Sequence, residues 1–158
     1  HQTFDRRWNE LICGIDPGYR TGGVSVVSDG FAETHDLPIF TEGGVDVHAL
    51  LDILTSVKIK HIYIEKQQAM PRQGVVSMFK LGLAFGQVQT CVALSLIPFT
   101  LVRPVQWKKF YHLPKDKDAA RLLAIRNYPH LANQLKRKKD EHRAESLLIA
   151  KYGSNQRD

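Results

Sequence analysis

Residues 11–23, LICGIDPGYRTGG, constrain the fold more than any other stretch. The unbroken apolar run from Leu11 to Ile15 has the character of a strand covered on both faces, which places it in the middle of a sheet. It stops abruptly at Asp16, Pro17 and Gly18. Pro17 has no N–H to continue a central ladder and Gly18 lets the chain turn, so a carboxylate emerges where a core strand ends. Gly22 and Gly23 lead into a second apolar run, Val24 to Val27, which reads as a hairpin partner. An acid at such a place either caps a turn or does chemistry, and a second carboxylate must decide between the two.

The rest of the chain supplies one. Asp29 and Gly30 make a turn, and residues 31–40 read as a third, less regular strand completing an antiparallel meander. Residues 47–57 place Val47, Leu50, Leu51, Leu54 and Val57 at helical spacing, and Lys58 to Lys60 break the pattern. In HIYIEK, at 61–66, Ile62 and Ile64 alternate with Tyr63 and the strand ends in Glu65. Residues 75–96 read as one long helix. Gly82 and Gly86 lie four apart on one face of it, where tight packing on the sheet is favoured over a close helix pairing at a dimer interface. Residues 97–102 form a further strand of a βαβ unit. Pro104 opens a short helix, residues 116–128 form another, and a last helix from Asp140 carries Ala144, Leu147, Leu148 and Lys151 on its inner face until Gly153 ends it.

At 158 residues, 43% apolar and 24% charged, the chain suffices for one well-buried domain and is too short for two. That domain spans 11–153, between a flexible leader at 1–10 and a disordered tail at 154–158. No signal-peptide pattern and no apolar run of membrane-spanning length are expected, so no membrane partner is. Cys13 and Cys91 lie in apolar segments without neighbours at ligand spacing and read as buried, reduced and structural. The net charge of +6 leans toward an anionic partner such as nucleic acid.

The last helix opens with Asp140, Glu141 and His142 and carries Glu145 just before its apolar stripe. Glu145 shares a face with Glu141 and His142, whereas Asp140 suits the helix cap. Two strand-end acids and a helical one are what a two-metal phosphodiesterase site requires, because Mg²⁺ and Mn²⁺ take hard oxygen ligands and the pair sits about 4 Å apart. Lys108 and Lys109 follow Trp107, Lys115 and Lys117 open the next helix, and Arg137, Lys138 and Lys139 adjoin Asp140. Beside an acid cluster these supply phosphate contacts.

In this order, GIDPG at 14–18, YIEK at 63–66 and DEHRAESLLIA at 140–150 resemble the RuvC-type Holliday junction resolvases of the RNase H-like superfamily, in their phage and plant-organelle branch. The resemblance implies an α/β fold with a mixed five-stranded sheet flanked by helices on both faces. It also implies a homodimer that resolves four-way DNA junctions by paired nicks with two Mg²⁺ or Mn²⁺ per site. Asp16, Glu65 and Glu145 match the family's acids. The fourth position falls to His142, as metal ligand or proton carrier, or to Glu141 or Asp140. Lys108 and Lys117 match lysines that approach the scissile strands. The segment from Gln67 to Phe79 matches one that enters the junction centre, where Gln67, Gln68, Arg72 and Gln73 are candidate base or phosphate contacts. Met78 and Phe79 stack on a base or belong to the helix core. Such an enzyme works in the cytoplasm of a bacterium or phage-infected cell, at the nucleoid, with an organelle left open. The rival readings are an RNase H-like nuclease processing RNA, a junction-binding module that does not cut, and an actin-like ATPase, whose fold needs a second such domain.

Overall fold

A computed structural model describes residues 10–156. The predicted leader, Glu10 apart, and the last two tail positions lie outside them. Strand β1 (Leu11–Asp16) is the middle of a five-stranded sheet. On one side it pairs antiparallel with β2 (Gly23–Ser28), and β2 with β3 (Phe31–Asp36). On the other it pairs parallel with β4 (Ile59–Glu65), and β4 with β5 (Phe99–Val102). The sheet is mixed, with order β3-β2-β1-β4-β5.

Both faces are covered. Cys13, Ile15, Ile62 and Ile64 point to the side of α1 (Val47–Thr55) and α2 (Val75–Leu94), where they meet Leu50, Leu54, Val88 and Val92. Ile12 and Tyr63 point the other way, into a core with Trp107, Leu147, Leu148 and Ile149. That core is built by α3 (Pro104–Phe110), α4 (Ala119–Asn127), the single turn α5 (Ala132–Leu135) and α6 (Glu141–Asn155). Strand alternation therefore sends Asp16 and Glu65 to the α6 face.

Several expected boundaries move. β3 stops at Asp36 because Pro38 has no N–H for the ladder, and the chain beyond makes only an isolated bridge between Ile39 and Val45. α4 starts at Ala119, after Asp116 Oδ1 has accepted the N–H of Asp118 in a local turn. α6 does not end at Gly153 but continues to Asn155, so the disordered tail expected at 154–158 is helical at its first two positions. Gly153 is there for space: a Cβ would collide with the ring of Tyr63. Gly82 and Gly86 do not pack on the sheet, since a Cβ at either meets nothing within 4 Å. α2 is also long and apolar enough to cross a membrane by length and composition, contrary to expectation. Its 20 residues carry one charge, Lys80, and its apolar surface is divided between a face on the sheet and an exposed stripe.

Candidate active site

The parallel register sets Ile15 beside Ile64, so the next residues, Asp16 and Glu65, emerge side by side where β1 and β4 end. Both are buried, at 4% and 7% exposure. Glu65 is gripped from two sides. Trp107 Nε1 donates to its Oε2 at 2.7 Å, and Gln67 Nε2 donates to its Oε1 at 3.2 Å.

α6 brings the other members. Its first turns lie against β2 so closely that a Cβ on Gly23 would strike the carbonyl of His142. A buried hydroxyl chain fixes this approach: Ser25 Oγ lies 2.8 Å from Thr34 Oγ1 and 2.6 Å from Ser146 Oγ. Arg143 adds a two-pronged ion pair to Asp36, at 2.8 and 3.0 Å. The imidazole of His142 is thereby set between Asp16 Oδ2, 2.7 Å from Nδ1, and Thr21 Oγ1, 2.9 Å from Nε2. One ligand atom from each of Asp16, His142 and Glu145 lies within 4.8 Å of the others.

The electrostatics are those of carboxylates crowded out of water. Burial pushes Asp16 well above the usual carboxylate range, and the charge of Glu65 adds to it. Glu145 is pushed up to about 9, first by burial and then by the charge of Asp16, with which it shares a hydrogen bond. Lys108 opposes both shifts, so its ammonium lies within reach of the two acids. A buried acid cluster that retains a proton near neutrality is a site for a cation. Hard oxygens with one imidazole suit a divalent cation, so Asp16, Glu145 and His142 fit such an ion, with the charge of Glu65 beside them.

The chain matches no protein-family profile and no curated protein. Among solved structures it is similar to T. thermophilus RuvC in complex with a Holliday junction substrate, at 23% identity over 90% of each chain and a TM-score of 0.65. A second Thermus thermophilus RuvC structure aligns at 21% identity over 89% of this chain and 90% of that one, with a TM-score of 0.57. This chain has the RuvC fold.

On the RuvC fold the other expected site residues fall as follows. Asp140 is buried but turned away from the cluster. Its carboxylate accepts from the backbone N–H and guanidinium of Arg137 at 2.9 to 3.2 Å, and these bonds outweigh burial and hold it below its ordinary range. Asp140 is thus a clamp for the start of α6 rather than a metal ligand. Glu141 is half-buried and acts on Asp16 through its charge, outside the three-residue cluster. Gln67 serves Glu65 rather than standing free for DNA, and Gln73 bridges Met70 N and Ser77 Oγ at the start of α2. Gln68 and Arg72 are exposed, Arg72 with a φ of 67°. Phe79 is 72% exposed and outside the helix core, whereas Met78 is half-buried.

Of the basic residues, Lys108 adjoins the acids, while Arg137 and Lys139 line a groove of about 470 Å³ with Arg20, Thr21 and His142. Lys138 faces Asp118, and Lys109, Lys115 and Lys117 are exposed without an ion pair among the described residues. Sequence reasoning missed the roles of Thr21 and Trp107. Thr21 lies within the glycine turn, but only its hydrogen bond to a residue far along the chain reveals what it does.

Proposed function

We propose that this chain is a divalent-metal-dependent endonuclease that cuts four-way DNA junctions by paired nicks, acting as a homodimer. The observation that carries the reading is the convergence of Asp16, Glu145 and His142 on one cluster, with Glu65 beside Asp16 at the neighbouring strand end and Lys108 flanking both acids. A neighbour of the same fold holds Holliday junction DNA, which supports the choice of substrate. Two Mg²⁺ or Mn²⁺ held by the three acids and His142 would supply Lewis-acid polarisation of the scissile phosphate.

The chain's own residues do the positioning. Trp107 and Gln67 hold both oxygens of Glu65, and Thr21 orients the ring of His142. Lys108 brings a positive charge to a site that would otherwise repel phosphate. Dimerisation is assigned to α2, whose outer stripe exposes Val75, Phe79, Leu83 and Leu94 and runs over the open Gly82 and Gly86. A two-fold axis along that stripe gives two sites and hence two nicks.

The test is cleavage of a labelled, immobile four-way junction beside a linear duplex and an RNA–DNA hybrid, with Mg²⁺, with chelator, and with Asp16→Asn. Symmetric nicks confined to the junction and lost with chelator or variant are expected. Cutting confined to the hybrid would replace the reading with RNA processing, and junction binding without cutting would replace it with a structural role.

A further inference from the structure

Two cations converge on one aromatic ring in the turn that follows Asp16. Lys80 Nζ lies 5.3 Å and Arg20 Cζ 5.6 Å from the centroid of the Tyr19 ring. Tyr19 and Arg20 belong to the turn between β1 and β2, and Lys80 to the second turn of α2. With Val76, Ser77 and Leu81 they line a groove of about 500 Å³. Neither cation has a carboxylate partner among the described residues; Arg20 reaches only the carbonyl of Thr41, at 3.4 Å.

The 43–44 turn fixes the main chain of Tyr19 and packs on its ring. Gly44 N donates to Tyr19 O at 2.9 Å, and Gly43, with a φ of 100°, lies so near the ring that a Cβ would enter it. Like charges gathered at a fixed ring repel one another, and the ring's π-face offsets this only in part. With no carboxylate beside either, the groove they line presents its charge to an anion from solution.

The position of the groove says which anion. Arg20 is also a wall of the groove that contains Arg137, Lys139 and His142; the two acids that line it, Asp36 and Asp140, are held by Arg143 and Arg137, which leaves Arg20 and Lys139 as its unneutralised charges between Lys80 and His142. The Tyr19 groove uses a different side of α2 from the apolar stripe: Val76, Ser77 and Lys80 flank the groove, whereas Phe79, Leu83 and Gly86 face outward. We infer that the groove of Tyr19, Arg20 and Lys80 binds the phosphodiester backbone of a nucleic-acid strand, which it leads toward the acid cluster. The inference deepens the proposed function and rests on it for the direction of the strand; backbone binding itself needs no cleavage.

The experiment is fluorescence anisotropy of a labelled junction and a labelled linear duplex over a series of salt concentrations, with chelator present so that nothing is cut. Lys80→Gln and Arg20→Gln are each expected to reduce the slope of log affinity against log salt by about 0.9, one phosphate contact apiece. Lys58→Gln, exposed at the far end of β4 from Glu65, leaves the slope as it is. Bound DNA is also expected to shield Lys80, and not Lys58, from acetylation in the unmutated chain.

Unchanged slopes in folded variants, with Lys80 unshielded, would overturn the groove and leave the nuclease reading standing. Reduced slopes on both DNAs, in a chain that cuts neither, would uphold the groove while the nuclease reading fails. A chain that binds no nucleic acid but holds polyglutamate through Lys80 would overturn both.

Discussion

Glu65 has both carboxylate oxygens addressed by neutral donors, Trp107 Nε1 on one and Gln67 Nε2 on the other. Donors of this kind orient a metal ligand without competing for its charge, and their loss typically weakens metal affinity about 10- to 100-fold. Trp107→Phe keeps an aromatic ring in the core and removes only the N–H, so calorimetric titration with Mn²⁺ is expected to show a loss of that size. Glu145 makes the complementary case through pH. Its folded-state value, pushed up to about 9, lies above its ordinary 4.5, so its proton is retained on folding. The stability this contributes is fully present below pH 4.5 and is lost as pH rises toward 9. The metal-free chain is therefore expected to melt lower at pH 9 than at pH 6. Glu145→Gln, which cannot ionise, should remove much of that drop and raise the Tm at pH 8 by several degrees, given about 2–4 °C per kcal/mol in a chain of this size. Thermal melts of both proteins with chelator check this. A variant that melts at or below the unmutated chain at pH 8 would refute it.

The site depends on how tightly α6 lies against β2. Gly23→Ala puts a methyl group against the carbonyl of His142 and near Ser146 Oγ, so the first turn of α6 must lift away from Asp16. Overpacking of this kind costs about 1–3 kcal/mol. Because the shift separates His142 from Asp16, activity is expected to fall further than stability, which paired melting and junction-cleavage assays would resolve. The elements themselves were largely readable in the chain. An apolar run broken by Asp-Pro-Gly or closed by Glu-Lys states both the strand and the acid at its end, and β1 and β4 follow that reading to within two residues. What depends on distant neighbours was not readable. A glycine near a helix end looks like a stop, yet Gly153 is a notch for Tyr63. Asp140 suits a helix cap by position, and the family resemblance leaves it open as a ligand, yet the side chain of Arg137, three residues back, takes its carboxylate. Trp107 looks like core, which it is, while its one polar atom serves Glu65.

At the scale of the whole molecule, the proposed paired cutting would need two copies, and α2 is the surface proposed for the second. Its outer stripe leaves Phe79 72% and Leu83 43% exposed, an arrangement that costs solubility unless something covers it. Gly82 and Gly86 break that stripe with a flat track on which another helix backbone can lie close. In an isolated chain these glycines have no use, since a side chain at either meets open space and a helix-interior glycine costs about 1 kcal/mol relative to alanine. Gly86→Gln separates the two roles. The single chain gains helix propensity and loses no contact, so its far-UV spectrum and Tm at low concentration are expected to hold or improve. A second helix loses its close approach, so sedimentation is expected to shift from dimer to monomer at concentrations where the unmutated chain is dimeric. Each copy keeps Asp16, Glu65, His142 and Glu145, and cleavage should therefore pass from paired to single nicks rather than stop. A dimer that survives Gly86→Gln with paired nicks intact would place the two-fold axis on another surface.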